Sequence, residues 1–314
     1  MAKREGVDRI VMANSPSAEL LAASVAGLDG FLVTGGNGFL GRHLVARLRS
    51  LGKRVAQVSL SQGFDVTRDE LPLSGVRHVF HLAGRTGIAT AWIDPVNFFA
   101  ANALGTMRVL DQCRRCGCSM TFASSFLYSG PFVAPAKETD PVEPQNPYAL
   151  SKQVGEQVCA FYARQYGVNV ATLRLANLYG PGQRTDFIIP HIVSQVIDQT
   201  TDHIKVWDLS PRRDFIHVDD AVDGILISMR APPGSLFNLG TGLAYSVEEI
   251  ILRTLAITGI DKPYRETGEK RRNDLTQAVL DVRAISAALA WQPAISLEAG
   301  LRSVIESMRG RCEP

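Results

Sequence analysis

The chain has 314 residues, 46% hydrophobic and 20% charged, enough for one large globular unit or two closely joined ones. A formal net charge of +2 is too small to point to nucleic acid or an anionic membrane surface as a partner. No apolar run approaches the ~18 residues of a membrane helix, and five cysteines, an odd number, favour a reducing, cytoplasmic setting over a disulfide framework.

Residues 1–28 read as an N-terminal extension, with Pro16 and Glu19 interrupting an apolar stretch too broken for a signal peptide. Ser15, with Pro16 behind it, can cap a short helix there. "GFLVTGG" (30–36) predicts a buried strand that ends in glycines, and "GRHLVARLRSLG" (41–52) a helix. "RVAQVSL" (54–60) and "HVFHLAG" (78–84) predict two more strands, and residues 97–117 one long helix. A strand at "MTFASS" (120–125), a helix from Tyr148 to about Tyr166 and a strand at "NVATLRLAN" (169–177) follow. Such alternation implies a parallel sheet covered on both faces, a Rossmann-type doubly wound α/β fold. Helical patterns at 187–198, 246–259, 281–289 and 297–309 predict a smaller, mainly helical C-terminal substrate domain. The expected division is a dinucleotide-binding domain over 29–176, with 213–240 returning to it, and a substrate domain over 177–212 and 241–314.

"TGGNGFLG" sets Gly35, Gly38 and Gly41 in a G-x-x-G-x-x-G spacing between the first strand and its helix. Glycines there allow a tight turn and close approach of backbone to a pyrophosphate, and the helix start at Phe39 and Leu40 offers free N–H groups. An acid at the end of the second strand would read the ribose 2′-hydroxyl of NAD. Ser59 stands there, followed by Ser61, which favours NADP over NAD, although no arginine follows closely to pair with the 2′-phosphate. Asp65 comes later and suits the adenine end. Cys113, Cys116 and Cys118 in "CRRCGC" have no second Cys/His cluster at ligand spacing and read as small residues at a helix end, not a metal site. His81 lies in an apolar strand and reads as a satisfied core residue.

"NPYALSKQVGEQ" (146–157) places Tyr148 one helical turn before Lys152. Moving hydride to or from an alcohol carbon requires a proton to move at the attached oxygen. A phenol of pKa ~10 does this poorly near neutrality, and an ammonium one turn away favours the phenolate.

"TGGNGFLG", "HLAG", "ASSFLY", Tyr148-x-x-x-Lys152, "NLYGPGQ", "RRDFIHVDD", "FNLGTG" and "LAWQP" in this order resemble the extended short-chain dehydrogenase/reductase family, within it the nucleotide-sugar epimerase/dehydratase branch, over roughly residues 29 to 309. The resemblance implies a catalytic set of Ser124, Tyr148 and Lys152. Ser124 stands four residues before Tyr128, and Ser125 is the alternative. It also implies a cofactor site of Gly35, Gly38, Phe39, Leu40, Gly41, Ser59, Asp65, Val66, Leu82, Ala83 and Gly84, shared with Tyr148 and Lys152. Arg85, Ser124, Ser125, Asn177, Arg213 and Arg271 would meet a nucleotide-diphosphate sugar, Arg213 and Arg271 (or its neighbour Arg272) by bidentate bonds to phosphate. Dehydratases of the branch carry an Asp–Glu pair after the serine; Ser125 and Phe126 stand there, against elimination. The resemblance also implies a homodimer, formed through the helix at 97–117 and the Tyr148 helix. The reading is an NAD(P)H-dependent reductase of an NDP-4-keto-6-deoxysugar; a C4 epimerase with tightly held NAD is the alternative, and a non-catalytic dinucleotide sensor a distant one.

Overall fold

The computed structural model describes residues 18–27, 29–126, 135–268 and 275–310. Its strands are β1 Phe31–Thr34, β2 Val55–Val58, β3 His78–His81, β4 Ser119–Ser125, β5 Val170–Leu175, β6 Asn177–Tyr179, β7 Ile204–Val206, β8 Arg212–His217, β9 Leu236–Leu239, β10 Ala244–Ser246, β11 Tyr264–Glu266 and β12 Gln277–Ala278. Its helices are α1 Ala18–Ser24, α2 Phe39–Ser50, α3 Ile88–Ile93, α4 Pro95–Phe99, α5 Gly105–Cys116, α6 Pro147–Tyr166, α7 Ile188–Ile197, α8 Val218–Ile227, α9 Val247–Thr258, α10 Arg283–Leu289 and α11 Leu297–Arg309.

Six strands form one parallel sheet in the order β2-β1-β3-β4-β5-β9. Strands β1, β3 and β5 are buried at every residue, as strands covered on both faces must be, and the polar residues within them, such as His78 and His81 of β3 and Arg174 of β5, are buried too. Leu44 and Leu48 of α2 and Ile225 and Leu226 of α8 pack on one face. Val109 and Leu110 of α5 and Cys159 of α6 pack on the other, with Phe122 beneath them. A separate core gathers α7, α9 and α11 around Ile192, Ile250 and Leu301.

Two expectations change. The helix over 97–117 is broken: α4 ends at Phe99, residues Ala100–Leu104 form a π turn, and α5 starts at Gly105. Hydrophobic periodicity does not report a single widened turn. Within 213–240, α8 and β9 return to the six-stranded sheet but β8 does not. It pairs instead with β6, β10 and β12. Asp214 of β8 anchors that small sheet, accepting from the backbone N–H groups of Thr241 at 2.9 Å and Gly242 at 3.0 Å. The cap expected at Ser15 and Pro16 lies outside the described residues, within which α1 begins at Ala18.

Candidate active site

The glycine loop is shaped by contacts no side chain would allow. Gly35 has φ +72°, and a Cβ there would lie 2.8 Å from Ala83 N. A Cβ on Gly41 would lie 2.2 Å from Gly35 O, and one on Gly38 3.1 Å from the same oxygen. Gly38 caps α2 without a side chain, so Phe39, Leu40 and Gly41 present the helix's first N–H groups. Leu82, Ala83 and Gly84 leave β3 beside the loop, held by Ala83 N donating to Thr34 Oγ1 at 3.2 Å. This cradle fits a dinucleotide pyrophosphate: bare backbone, free N–H groups and a helix start aimed at one place.

The ribose end is neutral. Ser59 is buried and shares its hydroxyl with Ser61 (3.0 Å) and Gln62 (3.1 Å). Asn37 joins the same cluster through Ser61 and Gln57. Asp65 folds onto its own turn, accepting from the Thr67 N–H at 2.9 Å and the Thr67 hydroxyl at 2.7 Å, bonds that lower its pKa. Val66 is buried against Gly105, where a Cβ would come within 2.9 Å of it.

Asn146 caps α6, accepting from the Ala149 N–H at 2.8 Å, and fixes where Tyr148 emerges. Ser125 lies beside the Tyr148 hydroxyl, and the ring packs edge-on to Phe98 with centroids 6.3 Å apart. Burial pushes the phenol's pKa up, and Ser125 works against that rise. Lys152 does not lower it as the spacing suggested. Its ammonium donates to Ala123 O at 2.8 Å and sits over the Phe122 ring, while burial pushes its own pKa down to about 8. A free phenol in this state is protonated, ready to donate.

The serine expected from the count back from Tyr128 lies elsewhere. Ser124 donates to Glu156 Oε1 at 2.6 Å, inside a buried cluster in which Arg174 Nη2 meets Glu156 Oε2 at 2.7 Å. Successive strand residues point apart, so Ser124 and Ser125 serve different partners, and Ser125 is the one that reaches Tyr148. The count depends on the connection through 127–134, which includes Tyr128 and lies outside the described residues.

Asn102 went unnoticed in the sequence. It sits in the π turn, fully buried, and its Oδ1 accepts from Arg85 N at 2.8 Å while its Nδ2 donates to Ser151 Oγ at 2.9 Å. A Cβ on Gly84 would lie 2.7 Å from Asn102 Oδ1 and 3.3 Å from Lys152 Nζ. The widened turn thus brings β3's exit, Asn102 and α6 together. The asparagine within an otherwise apolar helical pattern was the available signal. His81 behaves as a core residue. Thr106 Oγ1 gives its proton to Asn102 O (2.7 Å), so His81 Nε2 donates to Thr106 (3.1 Å) and Nδ1 accepts from Thr34 (2.7 Å). Burial holds its pKa down at about 3.

Arg85 stands over the Phe98 ring at 5.7 Å and pairs with Asp94. Asn177 and Arg213 lie on the paired strands β6 and β8; Asn177 Nδ2 donates to Asp214 O at 3.2 Å and Arg213 Nη1 to Arg212 O at 2.9 Å. Arg271 falls outside the described residues. Among the described residues, no group of three His, Cys, Asp or Glu side chains is placed to hold a metal, and no helix is long and apolar enough to cross a membrane. Cys113 and Cys118 are buried and Cys116 is exposed, all as free thiols.

Residues 31–240 match the family model of the NAD dependent epimerase/dehydratase family. A putative UDP-glucose 4-epimerase of Methanocaldococcus jannaschii is 29% identical over 88% of the chain and 98% of its own length. A GDP-6-deoxy-D-mannose reductase of Pseudomonas aeruginosa is 27% identical over 89% of the chain and 97% of its own length. Among solved structures, MoeE5 in complex with UDP-glucuronic acid and NAD superposes with a TM-score of 0.82 at 28% identity, covering 90% of this chain and 99% of that one. The structure of RMD from Pseudomonas aeruginosa complexed with NADPH gives a TM-score of 0.81 at 26% identity, covering 90% of this chain and 99% of that one. Glycine cradle, Tyr–Lys helix and sheet order agree with these likenesses: the chain belongs to the NAD dependent epimerase/dehydratase family, within the extended short-chain dehydrogenases/reductases, and is an enzyme that works with a nicotinamide cofactor.

Proposed function

We propose that the protein is an NADPH-dependent reductase acting on the 4-keto group of a nucleotide-diphosphate 6-deoxysugar. The observation that carries this reading is the Tyr148 hydroxyl, buried beside Ser125 at the end of β4, where burial favours the protonated phenol. A ketone reduced at carbon needs a proton delivered to its oxygen, and a neutral phenol at hydrogen-bond reach is suited to that.

Bound on the glycine loop, a nicotinamide dinucleotide supplies hydride chemistry. Gly35, Gly38 and Gly41 admit its pyrophosphate, and the N–H groups of Phe39 and Leu40 face it. The uncharged cluster of Ser59, Ser61 and Gln57 leaves a 2′-phosphate unopposed. Ser125 orients the sugar oxygen beside Tyr148, and Lys152, held by Ala123 O, keeps its ammonium beside Gly84 at the exit of β3. Ser124 acts structurally, through Glu156. Asn177 and Arg213 face the nucleotide diphosphate, with Arg85 at the sugar end. The two positions after Ser125 are Phe126 and Leu127, so no carboxyl pair is available there for eliminating water.

The likeness to a UDP-glucose 4-epimerase favours a second reading, C4 epimerisation with NAD retained through each cycle. The same Ser125, Tyr148 and Lys152 would serve both reactions. The experiment that separates them is NADPH consumption with a GDP-4-keto-6-deoxyhexose, run beside a test for interconversion of UDP-glucose and UDP-galactose without added cofactor. The assembly we propose is a homodimer, with Leu104, Met107, Leu150 and Phe161 of the π turn, α5 and α6 exposed on one side of the sheet. Sedimentation equilibrium giving a monomer at micromolar concentration would contradict it.

A further inference from the structure

The helix that carries the phosphate loop also holds the loop leaving β6. Two neighbouring residues of α2 reach two consecutive carbonyls there: Arg42 Nη2 donates to Gly182 O at 3.3 Å, and His43 Nε2 lies 3.0 Å from Pro181 O. The loop is built to turn those carbonyls outward. Gly182 has φ +84°, and a Cβ on Gly180 would lie 2.6 Å from Val218 Cγ1. Gln183 closes it by donating to Leu178 O at 2.8 Å.

The second ring nitrogen of His43, Nδ1, lies 3.5 Å from Asp219 Oδ1 in the first turn of α8. A carbonyl and a carboxylate both only accept. Neutral imidazole carries one N–H and can satisfy one of them; the imidazolium satisfies both. His217, at the end of β8, is arranged the opposite way. Ser303 gives its own proton to Gly300 O (2.7 Å), so His217 Nε2 donates to Ser303 (3.1 Å) while Nδ1 accepts from Asp219 N–H (3.3 Å). His217 is therefore satisfied when neutral, and burial keeps its pKa low. The other charges around His43 are Arg42 and Arg47 on α2 and Asp223 on α8. Arg47 is engaged by Asp223 at 2.9 Å, and the Asp219 carboxylate lies between the two imidazoles, Oδ1 3.5 Å from His43 Nδ1 and Oδ2 3.6 Å from His217 Nδ1, the nitrogen already supplied by the Asp219 N–H.

We propose that His43 is a positioning residue: as an imidazolium it ties the Gly180–Gln183 loop, and Asn177 on the strand before it, to the phosphate-loop helix and to Asp219, so that one proton sets how firmly the cofactor and substrate sides are joined. The significance of the tie rests on the functional reading above; its existence does not. Donation to the Asp219 carboxylate raises the His43 pKa above the ordinary histidine value, with burial opposing it.

The test is an NMR titration of the His43 imidazole in the full chain, its resonance identified by its loss in His43→Gln, together with hydrogen exchange of peptides spanning 177–187, normalised to intrinsic rates. The expected midpoint lies above ~6.5 and falls in Asp219→Asn, which keeps the backbone N–H that donates to His217. Protection of the loop should drop roughly twofold to tenfold through the same midpoint, the worth of one hydrogen bond. His43→Gln, with one donor and no charge, should show the lower protection at every pH. A midpoint at or below the ordinary value, wild-type protection indifferent to pH, or a pH dependence that survives in His43→Gln would each overturn the proposal. Neither readout uses turnover, so failure of the reductase assay and failure of the tie are separate results.

Discussion

Ser124→Ala and Ser125→Ala should fail in opposite ways. Ser124 is 4% exposed and donates a 2.6 Å hydrogen bond to the Glu156 carboxylate. A hydrogen bond to a charged group contributes about 1.5–3 kcal/mol. Glu156 keeps its bonds from Arg174 Nε and Nη2 (3.0 and 2.7 Å), so the loss belongs at the lower end of that range. Turnover should stay within a few-fold, because the hydroxyl does not meet Tyr148. Ser125→Ala removes the hydroxyl that lies beside that of Tyr148. Loss of one donor to a reacting oxygen costs roughly 10²–10³ in kcat, with little change in stability. Urea denaturation reads the first effect, and NADPH oxidation with a 4-keto sugar nucleotide the second. If Ser124→Ala abolishes turnover while the stability is unchanged, the two serines have been assigned the wrong way round.

Glu156→Gln leaves Arg174 facing a neutral amide in a buried site and should lower stability by about 3–5 kcal/mol, an effect that Arg174→Met in the same chain partly reverses; equal losses in the single and double variants would rule out the pair as the cause. Gly41→Ala places a methyl 2.2 Å from Gly35 O, so the loop must move; dinucleotide affinity by calorimetry should fall at least about tenfold, equivalent to ~1.4 kcal/mol. Ser59→Asp puts a carboxylate at the ribose end and should shift the NADPH-to-NADH affinity ratio toward NADH by about tenfold or more; an unchanged ratio would mean the ribose is read elsewhere. Lys152 is charged below about 8 and neutral above it, so kcat/KM should fall on an alkaline limb near that pH, and Lys152→Arg should move the limb upward. His43, with its pKa raised in the folded state, contributes stability that is fully present below its unfolded pKa and lost as pH rises through the folded value; His43→Gln should flatten that part of a pH–stability curve.

The α/β order and the glycine loop were legible because they depend on local pattern: buried parallel strands read as near-continuous apolar runs, and a helix start needs its glycines in place. Tyr148 and Lys152 were legible because spacing along one helix fixes a shared face. Ser125 was not, since choosing between adjacent serines depends on how the strand end meets α6, a long-range contact that counting along the chain does not measure. Asn102 was hidden for a related reason: its role comes from a π turn that leaves the apolar periodicity of 97–117 nearly intact. The tuning of Tyr148 by Lys152 was inferred from proximity alone. In the fold, burial and the Ala123 carbonyl decide where that ammonium sits.

The central claim is that Tyr148 protonates the oxygen of a sugar ketone. It is tested most directly by following NADPH oxidation with a GDP-4-keto-6-deoxyhexose in wild type and Tyr148→Phe, with product sugar identified by mass spectrometry. Stoichiometric reduction at C4 by the wild type, reduced at least about 10²-fold in Tyr148→Phe, is the predicted result. Undiminished turnover in Tyr148→Phe would contradict it, as would wild-type protein that carries tightly held NAD and exchanges C4 epimers without consuming NADPH.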